Sequence, residues 1–259
     1  MIVLFDGDVI VYRCAFAVEK EFLGWGGRVG VWNLRYTMSH FIENILEKFD
    51  TQAYLIYLGE SNGKTYRTEE CKHIDYKGNR RNLRKPCLYR VAREILKRDY
   101  NTRVVEGIEA DDALGINQTK ETVIVSVDKD LRMIPGRHYN PMKDSHIKVK
   151  DPGKIWKRTY DKGDKKVTKV YSTGFAAFAT QMITGDTVDN IPGIRGKGPI
   201  AAYEYLNECK SIEDYWSKVC SVYKELKISE EYRDETADML WIQRHNGERF
   251  KEWLGDRYE

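Results

Sequence analysis

Short apolar runs alternate with amphipathic stretches along the first half of the chain. MIVLF, AYLIYL and TVIVSV are rich in β-branched and aromatic residues and have the length of buried strands, and RVVEG is a shorter run of the same kind. From about Val31 to Phe49, apolar residues recur at helical spacing, which predicts a helix. Its predicted apolar face consists of Leu34, Met38, Phe41, Ile42, Ile45 and Leu46. Strands separated by helices predict an α/β fold with a central, mainly parallel sheet flanked by helices.

The pattern changes near residue 170. A segment rich in lysine and glycine runs from about Lys143 to Lys169, and its stretch RTYDKGDKKVTKVY is compatible with a hairpin or with a loose loop. From Ser172 onward the spacing is helical. We therefore expect an α/β core over residues 1–170 and a helical module over residues 171–259.

Acidic residues follow each of the four predicted strands. The residues concerned are Asp6 and Asp8, then Glu60, then Glu109, Asp111 and Asp112, and finally Asp128 and Asp130. Because the carboxyl ends of parallel strands meet at one edge of a sheet, these acids are expected to form an acidic basin there. Turn preferences and helix capping explain any one of these acids, but they rarely produce all four sets together.

Carboxylates brought close together raise one another's pKa unless a cation compensates. Oxygen ligands without histidine or cysteine favour Mg²⁺ or Mn²⁺, and two such ions can activate a water and stabilise a leaving oxygen. The stretch GDTVDN adds Asp186 and Asp189, three residues apart and on one face of a helical turn. The alternative for all these acids is a set of helix caps and surface residues.

A glycine-rich stretch, IPGIRGKGPIAA, follows directly. Glycines allow close backbone approach, and the helix after them offers its first N–H groups to a phosphate, which favours a helix–hairpin–helix turn over residues 191–200. The turn residues of interest are Gly193, Arg195, Gly196, Lys197 and Gly198. The alternative is an ordinary glycine-rich loop between packed helices.

A basic segment covers residues 76–98. Pro86 can open a helix, with Leu88, Val91 and Ile95 on its apolar face and Arg90, Arg93 and Lys97 on the opposite face. The residues before it are Tyr76, Lys77, Arg80, Arg81, Arg84 and Lys85. A basic cluster with an aromatic residue suits a polyanion and its terminal base, and a solvated amphipathic helix is the alternative.

Composition sharpens this picture. The chain has 259 residues with 41% hydrophobic content, typical of a globular protein, and carries 43 Lys and Arg against 40 Asp and Glu. If nine acids bind metal, 31 remain against 43 basic residues, which favours nucleic acid as a partner. No apolar run has the length of a membrane helix, no signal-peptide pattern is present, and the five cysteines are scattered. We expect a cytoplasmic protein that binds no membrane, with a monomer as the default.

The motifs FDGD, YKGNRR, EADD, SVDKDL and GDTVDNIPGIRGKG occur in this order between residues 5 and 198. In this set the sequence resembles the 5′-nuclease superfamily of flap endonucleases and 5′→3′ exonucleases, and it is most similar to the podovirus-type phage exonucleases. The resemblance implies a PIN-like nuclease core, a basic arch or clamp at residues 76–98, two Mg²⁺ or Mn²⁺ ions, and a helical module that binds duplex DNA through its hairpin turn, where K⁺ is held in relatives.

The resemblance also implies roles for individual residues. The first ion is assigned to Asp6, Glu109, Asp111 and Asp112, and the second to Asp128, Asp130, Asp186 and Asp189. Glu60 lies where the family usually has aspartate and is the least usual of the ligands. Lys77 and Arg80 are expected to contact the scissile or terminal phosphate and, with Asp130, to be catalytic. Tyr76 is expected to stack on a 5′ base, while Arg81, Arg84, Lys85 and the turn residues are expected to hold the nucleic acid.

The resulting hypothesis is a metal-dependent 5′→3′ exodeoxyribonuclease. It would act at duplex 5′ ends, nicks and gaps, and on RNA–DNA hybrids, and would release 5′-phosphates during phage DNA replication or recombination. Flap endonuclease action and primer removal of the ribonuclease H type are alternatives. A PIN-like ribonuclease would be shorter and lack the hairpin turn, and a phosphotransferase would need a GxxxxGK[ST] loop, which is absent. A non-catalytic duplex-binding protein is the alternative of another class.

Overall fold

The computed structural model describes residues 1–24, 30–61, 63–81, 83–163 and 165–258. All predicted site residues lie within these ranges. The predicted arch at 76–98 includes residue 82, and the lysine-rich segment at 143–169 includes residue 164; both positions lie outside the described residues. Within these ranges, no helix is long and apolar enough to span a bilayer.

The secondary structure consists of strands and helices that alternate through the first half and become mainly helical in the second. The strands are β1 (Ile2–Asp6), β2 (Tyr54–Gly59), β3 (Thr102–Val105), β4 (Thr122–Val125), β5 (Gly136–Asn140), β6 (Ser145–Val149), β7 (Lys154–Lys162), β8 (Lys165–Thr173), β9 (Gly185–Asp186) and β10 (Ile191–Pro192). The α-helices are α1 (Gly7–Gly24), α2 (Val31–Lys48), α3 (Tyr66–Glu70), α4 (Tyr89–Asp99), α5 (Ala110–Ile116), α6 (Phe175–Thr184), α7 (Pro199–Leu206), α8 (Ile212–Glu225), α9 (Glu230–Leu240) and α10 (Phe250–Tyr258). Gly78–Arg80 and Asp130–Met133 form 3₁₀ turns.

The chain forms two compact units, each assembled from separate segments. The first unit comprises Met1–Thr65, Asn82–Val127 and Gly136–Ile147, and the second comprises Tyr66–Arg81, Asp128–Pro135 and Lys148–Glu259. The segments of the two units alternate along the sequence. The sequence pattern predicts instead one boundary near residue 170, and that domain assignment stays a prediction.

The first unit is built on a six-stranded sheet with the order β3-β2-β1-β4-β5-β6. Every neighbouring pair from β3 to β5 is parallel. Phe5, Ile56 and Val125 are register partners on one face of the sheet, in a core shared with α1, α2 and α4. Leu4 and Ile124 are buried on the other face, where α5 packs against β1 and β2. This confirms the predicted α/β class with a mainly parallel, helix-flanked sheet.

The helix predicted from about Val31 to Phe49 is also confirmed, as α2. It begins at Val31 and ends at Lys48, one residue before the expected end. Five of its six predicted apolar positions are buried, and Phe41 packs against the same core while partly exposed. Periodicity identified this helix because its apolar stripe is wide and regular.

The prediction for one face of α4 is wrong. The helix begins at Tyr89 rather than at Pro86, and Arg93, expected on the solvent face, is 5% exposed beside the buried Ala92. Its guanidinium donates to Asp8 Oδ1 over 3.1 Å and to the carbonyl of Gly59. Arg93 is buried because a carboxylate and a carbonyl oxygen satisfy its charge and its donors inside the unit.

Helix α6 forms the centre of the second unit. All residues from Phe175 to Ile183 are buried. Phe178 packs edge-on against Trp241 with ring centroids 5.2 Å apart, and lies 4.6 Å from the Phe250 ring. The polar Tyr223 joins this core because its hydroxyl donates to the Met182 carbonyl over 2.7 Å. The buried helix fixes the backbone that leads into Asp186.

The lysine-rich segment is a hairpin rather than a loose loop. Strands β7 and β8 pair antiparallel along nine residues each, from Lys154 opposite Thr173 to Lys162 opposite Lys165. The hairpin belongs to the second unit.

A tight turn joins α6 to α7, as expected for a helix–hairpin–helix arrangement. Strands β9 and β10 pair across it, and Ile194 N–H donates to the Ile183 carbonyl over 2.8 Å. Gly185 has φ +68°, and a Cβ atom placed on Gly193 would lie 2.2 Å from the Thr184 carbonyl carbon. Both positions therefore require glycine, one for its backbone conformation and one for close backbone approach.

We predict that Gly193→Ala destabilises the second unit, whereas Gly198→Ala does not. The added methyl at 193 meets backbone that cannot move aside, which costs on the order of 1–3 kcal/mol. At Gly198 the same methyl meets nothing within 4 Å. Thermal denaturation of both variants checks this, and equal melting temperatures would contradict the close approach.

Candidate active site

The first acidic group begins where β1 passes into α1. Asp6 is 5% exposed. Its Oδ1 accepts the Val9 N–H over 3.0 Å, which caps α1, and its Oδ2 accepts the Ser126 hydroxyl over 2.8 Å. Asp6 is thus a buried carboxylate in a fixed orientation at the carboxyl end of the central strand.

Asp8, in the first turn of α1, has a different environment. Its carboxylate accepts the Gly59 N–H over 3.1 Å and the Arg93 guanidinium over 3.1 Å. These contacts join α1, β2 and α4 at the carboxyl edge of the sheet, so Asp8 is an ion-pair partner of Arg93.

The EADD triplet lies at the N-terminus of α5. Glu109 is the residue before the helix, and its N–H donates to Asp112 Oδ2 over 3.0 Å; the two side chains form a capping box. Asp112 is fully buried, whereas Glu109 and Asp111 are partly exposed. Glu109 and Asp112 therefore cap α5, the helix that follows β3.

Glu60, the next member, follows β2 directly and is partly exposed. Beside it, a Cβ atom placed on Gly59 would lie 2.9 Å from Asp8 Oδ2 and 3.9 Å from the Ala110 amide nitrogen. The first turn of α1, the end of β2 and the start of α5 thus converge around Gly59. That the acids after different strands meet at one edge stays a prediction.

A second acidic group lies in the second unit and consists of Asp128, Asp130, Asp186 and Asp189. Asp128 Oδ1 accepts the Asp130 N–H over 2.8 Å. Gln181 Nε2, on buried α6, donates to Asp130 Oδ1 over 2.6 Å and lies 3.5 Å from Asp186 Oδ2. Asp186 in turn accepts the Val188 N–H over 2.7 Å. Backbone and amide donors hold these carboxylates close together.

This proximity changes the acidity of Asp130. Burial, together with the charges of Asp128 and Asp186, raises its pKa to about 8. At neutral pH, Asp130 therefore retains a proton in the absence of a compensating cation. The pKa of Asp186 is lowered despite its burial, because it accepts hydrogen bonds from Asp130 and from the Val188 N–H.

The beginning of the basic segment docks onto the loop that carries Asp189. Lys77 N–H donates to the Asp189 carbonyl over 2.8 Å, and Lys77 Nζ lies 3.8 Å from Asp189 Oδ2. Arg80 donates to the Val188 carbonyl over 2.9 Å and forms an ion pair with the Asp189 carboxylate. Lys77 adopts a left-handed backbone at φ 54°. Two predicted phosphate-binding cations thus lie at one of the predicted metal ligands.

Tyr76 is not positioned as expected. Its side chain is 6% exposed and its hydroxyl donates to Asp189 Oδ2 over 3.1 Å. Lys77 Nζ lies 5.1 Å from the centre of its ring. The expectation of a ring presented to a 5′ base does not fit this structure, because Tyr76 packs as part of the Asp189 loop.

The other basic residues of the segment have partners of their own. Arg81 pairs with Asp75 over 2.6 Å, with both side chains exposed. Arg84 pairs with Glu19, a buried carboxylate that also accepts the Cys87 N–H. Lys85 Nζ lies 4.6 Å from the centre of the Tyr89 ring. Arg84 is therefore a structural contact of α1 in the first unit.

The turn residues are mostly accessible. Arg195, Gly196 and Gly198 are exposed, Gly193 and Lys197 are partly exposed, and Lys197 Nζ lies 5.5 Å from the centre of the Tyr205 ring. Gly196 has φ +77°. Pro199 begins α7 immediately afterwards.

The donor set of both acidic groups suits a hard divalent cation, because every candidate ligand is a carboxylate oxygen. The raised pKa of Asp130 is the structural sign that its group gains from added positive charge. In the described part of the chain, no three His, Cys, Asp or Glu side chains are already arranged around a metal position. The chemistry of the residues therefore fits, while the ligands are not preassembled.

Sequence reasoning missed Gln181, Ser126 and Arg93. Gln181 lies in an apolar helix five residues before Asp186, and Ser126 directly follows β4, so neither departs from ordinary local composition. Arg93 resembled any solvated residue of an amphipathic helix. Only the fold brings these side chains to the carboxylates.

Known proteins resemble this chain in sequence and in fold. Residues 1–160 match the family model described as "5'-3' exonuclease, N-terminal resolvase-like domain". The 5'-3' exonuclease of Buchnera aphidicola subsp. Acyrthosiphon pisum is 26% identical over 84% of this chain and 74% of its own length. DNA polymerase I of Caldicellulosiruptor bescii is 28% identical over 87% of this chain, which spans only 26% of that longer protein.

Solved structures show the same fold. T5 5'-exonuclease with divalent metal ions (zinc) bound superposes with a TM-score of 0.56 at 16% identity, covering 93% of this chain and 98% of that one. A pseudo-enzyme-product complex of bacteriophage T5 flap endonuclease with DNA and metal ions gives a TM-score of 0.54 at 13% identity, covering 92% of this chain and 98% of that one. The family match over most of the chain is decisive: this chain belongs to the 5′→3′ exonuclease family of nucleases.

Proposed function

We propose that this nuclease is a metal-dependent 5′→3′ exodeoxyribonuclease that hydrolyses phosphodiesters from the 5′ ends of duplex DNA, at ends, nicks and gaps, and leaves 5′-phosphates. RNA–DNA hybrids are included among its substrates. The protein acts as a monomer in the cytoplasm, that of the host cell if the chain is phage-encoded, during DNA replication or recombination.

The observation that carries this proposal is the contact of Lys77 and Arg80 with Asp189. Two cations beside a group of carboxylates are the parts needed to hold a phosphate next to hard metal ions. A surface salt bridge would not need three further acids, one of them with a raised pKa, in the same group. Nucleic acid also fits the excess of basic residues that remains once the candidate ligands are set aside.

Each acidic group is proposed to hold one Mg²⁺ or Mn²⁺. The first ion is assigned to Asp6, Glu60, Glu109, Asp111 and Asp112, and the second to Asp128, Asp130, Asp186 and Asp189. When bound, such ions supply charge neutralisation at the phosphate and an activated water. That both groups serve one phosphodiester rests on the family to which the chain belongs.

The protein's own residues are proposed to orient the substrate and to neutralise the charge of its phosphates. Lys77 and Arg80 are proposed to exchange part of their contact with Asp189 for the scissile phosphate, where Arg80 offers two parallel donors. Gln181 keeps Asp130 and Asp186 in position through its amide. The turn at residues 193–198 is proposed to bind duplex phosphates, with K⁺ at its carbonyls, while Arg81 and Lys85 add charge along the substrate.

The proposed function is tested by measuring the release of label from nicked duplex DNA that is labelled at either the 5′ or the 3′ side of the nick. With Mg²⁺, the wild-type protein should release label from the 5′ side only, and EDTA should abolish release. Asp130→Ala should lose cleavage by several orders of magnitude while retaining duplex binding, and Glu121→Ala, which removes an exposed acid, should behave as wild type. Degradation from the 3′ end, or in EDTA, would refute the mechanism.

The same assay on a 5′ flap separates exonuclease from flap endonuclease action. Single nucleotides released from the nick support the exonuclease, whereas cleavage confined to the flap junction would assign the chain to structure-specific endonuclease activity. A protein that binds both substrates and cleaves neither would be a non-catalytic duplex-binding protein.

A second prediction distinguishes the role of Lys77 from that of Arg80. Lys77→Ala should lower the cleavage rate at least tenfold, or about 1.4 kcal/mol in the barrier, with a smaller drop in melting temperature than Arg80→Ala, since Lys77 Nζ lies 3.8 Å from Asp189 Oδ2. Arg80→Ala should lower both the cleavage rate and the melting temperature, because Arg80 also donates a hydrogen bond to the Val188 carbonyl. Single-turnover rates and thermal melts distinguish the two; equal losses of duplex affinity and cleavage in Lys77→Ala would reduce Lys77 to a binding residue.

A third prediction follows from the pKa of Asp130. It is raised from 3.8 to about 8 on folding, so the folded chain keeps a proton that the unfolded chain releases. Stability without metal should therefore fall as the pH rises from about 4 to about 8. Because a cation replaces that proton, the gain in melting temperature with Mg²⁺ should be larger at about pH 9 than at about pH 6.

Asp130→Asn provides the control for this pH dependence. It cannot titrate, so the gain in melting temperature with Mg²⁺ should become smaller and nearly independent of pH. A wild-type gain that is equal at both pH values, or larger at the lower one, would contradict the assignment of Asp130 as a metal ligand.

A further inference from the structure

The β7–β8 hairpin has two chemically different faces. Residues that pair directly across an antiparallel ribbon share a face, and successive residues alternate. The first face, here named the basic face, carries Lys154, Trp156, Arg158, Tyr160, Lys162, Lys165, Val167, Lys169, Tyr171 and Thr173. The opposite face carries Ile155, Lys157, Thr159, Asp161, Lys166, Thr168, Val170 and Ser172. Five of the hairpin's seven cations and all three of its aromatic residues thus lie on the basic face.

The base of the hairpin packs against the rest of the unit, where Thr173 of the basic face is also buried. Ile155 is buried, and Lys157 Nζ lies 4.8 Å from the centre of the Tyr203 ring on α7. Thr159 and Thr168 satisfy each other through a 2.8 Å hydrogen bond. Toward the tip both faces are exposed, including Arg158 and Lys169 on the basic face and Thr159 and Thr168 on the opposite face.

The basic face places like charges directly opposite one another. Arg158 pairs with Lys169, and Lys162 pairs with Lys165. Like charges at such positions destabilise a ribbon, and no acidic residue occurs among the face's described members to offset them. Lysines on exposed strands do guard against edge-to-edge pairing. That purpose does not require cations to be gathered on one face or interleaved with aromatic rings.

The aromatic rings support the cations rather than offering free platforms. Lys154 Nζ lies 5.4 Å from the centre of the Trp156 ring, which stacks on Tyr171 with centroids 5.7 Å apart. Lys169 Nζ lies 5.5 Å from the centre of the Tyr160 ring, and its hydrogen bond to Tyr160 raises the pKa of Lys169. Rings engaged in this way are poor stacking surfaces for unpaired bases, so the face suits phosphates.

We propose that the basic face of the β7–β8 hairpin binds the sugar–phosphate backbone of duplex DNA. The inference rests on the proposed function and adds a contact beyond the turn at residues 193–198. Nine residues of strand extend about 26 Å at roughly 3.3 Å each. At about 3.4 Å of duplex axis per phosphate of one strand, this length matches about eight phosphates.

The test compares two double variants that each remove two cations, one from each strand of the hairpin. Arg158→Gln with Lys169→Gln alters the basic face, and Lys157→Gln with Lys166→Gln alters the opposite face. Duplex affinity of the full chain is measured across a salt series with Ca²⁺ in place of Mg²⁺. Each lost phosphate contact should reduce the slope of log affinity against log salt by about 0.9.

The basic-face variant should therefore bind duplex more weakly, with a slope shallower by about 2. The opposite-face variant should keep the wild-type slope, and thermal melts verify that both are folded. Equal slopes for the two variants would overturn the proposal, since only their net charge would then matter. A larger loss of affinity for single-stranded than for duplex DNA in the basic-face variant would overturn it as well.

Cleavage in Mg²⁺ distinguishes failure of this inference from failure of the proposed function. A wild-type protein that binds and cleaves duplex, while both variants bind alike, contradicts only the hairpin contact. A wild-type protein that cleaves nothing contradicts the proposed function. In the expected result, the basic-face variant needs more substrate for half-maximal rate and keeps its maximal rate.

Discussion

The burial of carboxylates that repel one another is the constraint on which the candidate active site depends. Asp128, Asp130 and Asp186 are held close by a buried helix and by backbone donors, and burial together with the charges of the other two raises the pKa of Asp130. A folded chain tolerates such a group when a proton or a cation compensates its charge. The same feature that weakens the fold at high pH therefore prepares the group to bind a divalent ion.

Backbone N–H groups in turns and at helix N-termini hold acids of both groups in position. Asp6 caps α1, Asp112 accepts the N–H that precedes α5, and Asp186 accepts the Val188 N–H. In each case one carboxylate oxygen or lone pair fixes the side chain, so its orientation does not depend on a metal. Helix capping is thus compatible with the metal binding that we propose for the same residues, and in EADD the cap orients the proposed ligands.

The sequence predicted the elements whose patterns are local. The β-branched runs became strands of a parallel sheet, α2 followed its apolar spacing, and the glycines after Asp189 mark a turn where Gly193 admits no side chain. Its expectation that acids following different strands share one edge stays a prediction, and the structure places Asp8 of α1 and the start of α5 beside Gly59 at the end of β2. What it missed depends on tertiary contacts: Arg93 is buried because Asp8 lies beside it, and Tyr76 packs against Asp189. No periodicity in α4 or in the basic segment carries that information.

The central claim is that each of the two acidic groups holds a divalent cation. The most direct measurement is anomalous diffraction from crystals of the protein soaked in Mn²⁺. Two sites are predicted, one ligated by acids from the set Asp6, Glu60, Glu109, Asp111 and Asp112, and one by acids from the set Asp128, Asp130, Asp186 and Asp189. In Asp130→Asn crystals the second site should weaken while the first remains. Mn²⁺ bound only by other residues, or at neither group, would contradict the claim.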